Sequence, residues 1–191
     1  FSTRDDFSPE DSRLLSLAHY ECERMRGMVR EFQQLYQDSS GAEGIETLQD
    51  IVAKIIYETA PWMNDNKIVY EINITSENGA VVVSKNKLFL VLKNIIVNAI
   101  ESMVSTGGRL LISDRKEGYN MVVSISDEGK GIEPQHQELI FEPFFSTKQE
   151  IEGAGLGLSV AYGTMKSLGG TIIFASRPGK GTLFEVHIPL C

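Results

Sequence analysis

The stretch that decides the fold is Asp127–Leu158, DEGKGIEPQHQELIFEPFFSTKQEIEGAGLGL. Two glycine clusters bracket it, Asp127-Glu128-Gly129-Lys130-Gly131 and Gly153-Ala154-Gly155-Leu156-Gly157-Leu158. Little periodicity is sustained between them. The second cluster runs straight into an apolar helical pattern, Leu158 to Leu168. Glycines placed just before a helix let the backbone approach a ligand and aim free N–H groups at it, which is what a phosphate cradle requires. The stretch therefore reads as the lid of a phosphate-binding site, with the rest of the chain as its floor.

On the N-terminal side, Lys85–Met103 reads as a long helix rich in Leu, Ile and Val. Asn94 and Asn98 interrupt its apolar pattern. They lie four residues apart and so share one face with Glu101. A buried amide costs free energy unless it is paired. Two readings fit the asparagines alone: caps for neighbouring backbone, or groups facing a cavity with a polar ligand. The adjacent glycine clusters favour the second. Arg109–Arg115 and Asn120–Ser126 read as a hairpin around Glu117-Gly118, and its second strand delivers Asp127 at its end. On the C-terminal side, helix 158–168 stops at Gly169-Gly170. Strands Thr171–Ala175 and Thr182–Pro189, joined by Arg177-Pro178-Gly179-Lys180-Gly181, close the domain.

Before the long helix, Ile45, Leu48, Ile51, Val52, Ile55 and Ile56 keep helical spacing up to Pro61. Ile68, Tyr70, Ile72 and Ile74 alternate as a strand, and Ala80–Ser84 reads as a second short strand. From Ser12 to Gln37, two adjacent apolar tracks predict the wide stripe of a bundle helix, with Ser8-Pro9-Glu10-Asp11 as its start. That stripe needs partners, which points to a dimer or to further upstream sequence. The opening Phe1, rather than Met, also suggests a piece of a longer protein.

Composition limits the function. The 191 residues are 42% hydrophobic and 23% charged, ordinary for a globular domain with an appendage. The net charge of −8 disfavours nucleic acid as a partner. Cys22 and Cys191 form no CxxC pair and no zinc-site spacing, as expected of free thiols in a reducing, cytoplasmic setting. No apolar run is long enough to span a bilayer, although an upstream membrane anchor in the parent protein is compatible with this.

Five short motifs carry a resemblance. Asn94-Ile95-Ile96-Val97-Asn98-Ala99 resembles the N box of sensor histidine kinases. Asp127-Glu128-Gly129-Lys130-Gly131 is similar to their first glycine box, and Phe141-Glu142-Pro143-Phe144-Phe145 to their F box. Gly153 to Leu158 resembles the second glycine box, and Gly179-Lys180-Gly181-Thr182 the third. The boxes occur in family order over roughly residues 45–190, and five ordered matches are far more specific than one glycine motif. The resemblance implies the catalytic, ATP-binding domain of a two-component sensor kinase. It is closest to the nitrogen-regulation type, whose boxes read much like FEPFFSTK. The implied fold is α+β, a two-layer α/β sandwich of the Bergerat type with three helices on one face of a mixed sheet. This catalytic domain would occupy residues 41–191, and residues 1–40 would be part of a dimerisation region.

The resemblance also implies roles. Asn98 would hold Mg²⁺ through its amide oxygen, and Asn94 would lie beside the phosphates. Asp127, an acceptor only, would take a hydrogen bond from the adenine amine. Gly129 and Gly131 would let the backbone pass close to the base, and Thr182 would place a hydroxyl near it. Gly153, Gly155, Leu156, Gly157 and Leu158 would form the phosphate loop. Phe141, a candidate nucleotide contact, reads with Phe144 and Phe145 either as a lid anchor or as the face that meets the phosphoacceptor helix, and Lys148 reads either as a cation that meets the γ-phosphate on lid closure or as a solvated lysine. Lys130 reads as solvated. Glu101 stands where other kinases carry a basic residue that touches phosphate, so its charge argues against that role.

The family's phosphoacceptor motif, His followed by an acid and then Pro, is absent. His19 is followed by Tyr20 and resembles a surface position of the second dimerisation helix. The acceptor histidine is therefore expected on an upstream helix of the full protein, a homodimer that passes phosphate to a response regulator. Two further classes compete: a self-contained ATPase of the gyrase or chaperone type, and a nonenzymatic nucleotide-binding or dimerisation module.

Overall fold

The computed structural model describes residues 47–75, 85–147 and 155–190, together with Asp11, Leu14 and Leu15. The expected bundle helix over 12–37 with His19, the short strand over 80–84, Lys148 and Gly153 lie outside the described residues, apart from Leu14 and Leu15, which are helical.

The first helix, α1, is Leu48–Asp65. Thr47 starts it with a reciprocal cap: its hydroxyl accepts from the Asp50 N–H, and the Asp50 carboxylate accepts from the Thr47 N–H at 2.9 Å. The helix runs through Pro61, where the sequence reading stopped it. Proline lacks an N–H for the carbonyl four residues back, that of Tyr57. Tyr57 and Pro61 are both on the exposed face, where water can serve that carbonyl. Beyond Pro61, burial of Met63 draws the last turn into the core.

Strand β1, Ile68–Asn73, is followed by α2, Lys85–Met103. Then come β2, Gly108–Glu117, and β3, Asn120–Asp127. A short 3₁₀ turn at Pro134–His136 opens the lid. Helix α3, Gly157–Ser167, and strands β4, Thr171–Arg177, and β5, Gly181–Pro189, complete the domain. The sheet order is β1-β2-β3-β5-β4. The β1–β2 pair is parallel, the other three pairs antiparallel, so the sheet is mixed.

Strand alternation explains the two layers. Leu110, Ile112, Met121, Val123, Ile125, Phe184, Val186 and Ile188 are buried on the helix side. Helix α2 meets them with Leu88, Val91, Leu92, Ile95, Ile96, Ala99, Ile100 and Met103, spaced three and four apart. It lies between α1 and α3 over the centre of the sheet. The opposite sheet face carries a polar ladder: Arg115 donates to Glu185 Oε1 at 2.6 Å and pairs with Glu117 at 3.0 Å. These pairs are half-exposed and add little stability; the α2 layer carries the fold. Leu92→Ala is expected to cost about 2–5 kcal/mol, since its side chain is fully buried. Urea unfolding followed by circular dichroism measures it, and a loss under about 1 kcal/mol would contradict this packing.

Candidate nucleotide site

Helix α2 supplies one wall of a cavity of about 380 Å³, within the range of small-molecule sites. Its apolar residues face the core, so the intervening positions Asn94, Asn98, Glu101 and Ser102 come to the cavity side. The loop after β3 contributes Lys130, Gly131, Ile132 and Glu133. The lid adds His136, Ile140, Phe145, Ser146 and Thr147. The start of α3 adds Gly155, Gly157 and Leu158, and β5 adds Thr182.

The structure thus brings Asn94, Asn98, Gly131, Gly155, Gly157, Leu158 and Thr182 to one cavity from four separate segments. Asp127 lies just behind this surface, only 3% exposed. Its Oδ1 accepts from the Gly129 N–H and stands 2.9 Å from the Ser102 hydroxyl. That hydroxyl is also 2.7 Å from the Ala99 carbonyl. Burial raises the Asp127 carboxyl above its ordinary value; the donors of Gly129, Ser102 and Thr182 pull it the other way. Gly129 is buried against Ser102, and a side chain there would collide with the hydroxyl. At Gly131, φ is +69° and a Cβ would run into the Arg177 carbonyl, so only glycine lets the loop pass.

Phe141 and Leu156 do not line the cavity. Phe141 stacks on Tyr162 with ring centroids 4.7 Å apart and meets the Phe174 ring at 5.9 Å, which fastens the base of the lid to α3 and β4. The Leu156 carbonyl accepts from the Val160 N–H and the Ser159 hydroxyl in the first turn of α3. The F box and the second glycine box are tied by backbone: the Phe144 N–H donates to the Gly155 carbonyl at 3.0 Å. Phe144 has φ 67° and an exposed ring.

Several lining residues escaped the sequence reading. Ser102 was available to it, being four residues after Asn98 on the same helical face. His136, whose ring centroid is 5.6 Å from that of Phe145, sits in a segment without periodicity and had no such signal. Lys130 is exposed, as expected, yet it stands at the rim.

Gly157 gives a test with two opposed readouts. A Cβ there would lie 3.3 Å from Asn94 Oδ1. Gly157→Ala should improve helix stability by about 0.5–1 kcal/mol. It should also displace the Asn94 amide and weaken ATP binding by about tenfold. Thermal unfolding and calorimetric titration read the two effects; unchanged affinity would show that Asn94 is not confined by this glycine.

Comparison with known proteins agrees with this geometry. Residues 83–191 match the family of histidine kinase-, DNA gyrase B-, and HSP90-like ATPases. Sensor histidine kinase ZraS of Escherichia coli K12 is 27% identical over 190 residues, covering all of this chain and 40% of that protein. Sporulation kinase C of Bacillus subtilis is 37% identical over 126 residues, covering 65% of this chain and 29% of that protein. Among solved structures, the Acinetobacter baumannii histidine kinase AdeS superposes with a TM-score of 0.70 at 26% identity, covering 97% of this chain and 88% of that one. The catalytic domain of histidine kinase ThkA gives 0.67 at 26% identity, covering 76% and 93%. A mixed five-strand sheet with three helices and a cavity walled by asparagines and glycine loops defines an ATP-binding domain, and the chain belongs to the histidine kinase-, DNA gyrase B-, and HSP90-like ATPase family. Within that family, the proteins it resembles most fully in the comparisons above, ZraS, AdeS and ThkA, are histidine kinases. The chain spans about two fifths of the length of the ZraS proteins it matches. No described helix is long and apolar enough to cross a membrane.

Proposed function

We propose that this domain binds Mg-ATP and presents its γ-phosphate to a histidine on a dimerisation helix of the full-length protein. The observation that carries the reading is the convergence of Asn94, Asn98, the glycine loops and Thr182 on one cavity. Asn98 would hold Mg²⁺. Its amide offers a neutral oxygen, which suits a hard cation whose remaining ligands are phosphate oxygens and water. Among the described residues no group of three or more His, Cys, Asp or Glu could hold a metal instead. Bound there, the cation would neutralise phosphate charge.

The chain's own residues supply positioning, which is most of what phosphoryl transfer asks of a protein. Asp127 would select an amine-bearing base. The loop through Gly153, Gly155, Leu156, Gly157 and Leu158, with the N-terminus of α3, would receive the phosphates. Lys148 would meet the γ-phosphate when the lid closes, and Phe141 would hold the lid's base. Asn94 cannot take a proton at neutral pH, so it offers no general base for activating water; this separates the kinase reading from a self-contained ATPase.

The same reading assigns residues 1–40 to a dimerisation region and 41–191 to the catalytic domain. It places the parent protein among homodimeric kinases that serve a response regulator from the cytoplasmic side. The FEPFFSTK run supports the nitrogen-regulation type. The test is incubation of the chain with γ-labelled ATP and Mg²⁺. Binding with little released phosphate and no acid-labile label is expected. Acid-labile label on this chain would place an acceptor histidine within it. Abundant free phosphate would move the assignment to an ATPase.

A further inference from the structure

The row of side chains at one end of the sheet holds a residue outside the five boxes. In register, Thr182 on β5 lies between Asp127 on β3 and Ser176 on β4. The Ser176 hydroxyl accepts from the Ile132 N–H at 2.9 Å, lies 3.1 Å from the Gly181 carbonyl and 2.9 Å from Thr182 Oγ1. Gln137 braces the same point, its amide donating to the Ile132 carbonyl at 3.0 Å.

One placement of the protons makes all three contacts hydrogen bonds at once. A hydroxyl has one proton and two lone pairs. The Gly181 carbonyl can only accept, so the Ser176 proton goes to it. The Ile132 N–H takes one lone pair of Ser176, which leaves the other for the Thr182 proton. Thr182 Oγ1 then has no proton for the cavity and faces it as an acceptor. Beside it, the Asp127 carboxylate is also an acceptor. Two adjacent acceptors suit an exocyclic amine, which has two N–H groups, and repel a carbonyl at the same place.

We infer that Ser176 is a positioning residue for base selection: it holds the Thr182 hydroxyl as an acceptor, so that the site takes a 6-amino purine and rejects a 6-oxo purine. The inference rests on the ATP reading and deepens it. In Ser176→Ala, Thr182 regains a free proton that it can turn toward a base carbonyl.

The experiment is calorimetric titration of the chain with Mg-ATP and, separately, with the 6-oxo nucleotide inosine triphosphate. Ser176→Ala should weaken ATP by about 3- to 10-fold, the usual value of one hydrogen bond. Inosine triphosphate should be weakened less or strengthened, narrowing the preference at least about threefold. Ser176→Thr, which keeps the hydroxyl, should retain the preference. Thr182→Val should narrow it as Ser176→Ala does, and Ser176→Ala added to Thr182→Val should narrow it no further. Equal weakening of both nucleotides in Ser176→Ala would make the residue a structural support and overturn the inference, as would no change. Should Ser176→Ala fail to fold, an unaltered preference in Thr182→Val overturns it instead. Failure of the unsubstituted chain to bind ATP would overturn the underlying reading and the inference with it, and is told apart by that control.

Discussion

Asn98→Ala is expected to abolish magnesium-dependent ATP binding while leaving the fold intact. The amide is part of the cavity wall, and its α2 neighbours Ala99 and Ile100 are in the core. Truncation removes the amide oxygen from the cavity wall without touching that core. Alanine is also the better helix former by a few tenths of a kcal/mol, so thermal stability should hold or rise. The effect on binding should be large because, on the proposed reading, this amide is the chain's ligand to the cation. Its loss leaves the triphosphate's charge unanchored beside Glu101. A loss of about 100-fold or more in affinity is expected, a difference of about 2.7 kcal/mol. Titrations with and without EDTA provide the check. Chelation should weaken the unsubstituted chain to the level of the variant and leave the variant unmoved. A variant that still responds to chelation would place the metal elsewhere.

Asp127→Asn should separate stability from binding. The carboxyl is buried and its proton affinity is raised, chiefly by desolvation. A raised folded value means that the folded state binds the proton more tightly than the unfolded state. Stability therefore increases as pH falls through the folded value toward the ordinary carboxylate range, and the burial penalty is present in full at neutral pH. An uncharged amide removes that penalty, so the nucleotide-free variant should melt no lower than the parent, and its melting should lose this pH-dependent component. Binding should behave oppositely. The Gly129 N–H and Ser102 hydroxyl meet at one oxygen, and an amide must keep its own oxygen there. Its NH₂ then points where the second carboxylate oxygen was, donor against donor with an adenine amine. An affinity loss of about 100-fold is expected, since a buried pair of like donors is left unsatisfied. Thermal unfolding across pH 4–8 and calorimetric titration give both halves. Unchanged ATP affinity would remove Asp127 from base recognition.

Most of the fold was legible because the elements announce themselves locally. Helix α2 and the alternation of β2, β3 and β5 are written in residue spacing, and glycines mark the turns between them. The end of α1 was not, because the stop signal of Pro61 is overridden by burial of Met63, a tertiary effect invisible to local pattern. The site divides the same way. Asn94, Asn98, Gly131, Gly155 and Gly157 stand out in sequence because each breaks its surroundings, an amide in an apolar helix or a glycine clustered at a strand end or a helix start. Ser176 and Gln137 do not stand out. A serine in a strand and a glutamine in a loop are ordinary until the register of β4 and β5 shows what their polar atoms meet. Phe141 is recognisable as one of a cluster of aromatics, but its stacking on Tyr162 arises only when the lid packs on α3.

The pairing of β3 with β5 sets the order in which the domain can become competent. The β2–β3 and β4–β5 hairpins are each local in the chain and can form quickly. Asp127 and Thr182, by contrast, meet only through a pairing that spans most of the domain's C-terminal half, with the lid and α3 in between. Closing so long a segment carries an entropic cost that delays it relative to the hairpins. A partly folded chain that has both hairpins but not this seam lacks the Asp127–Thr182 end of its site. ATP can then stabilise only molecules that have completed the seam, and it acts during folding as a selective ligand for the finished sheet.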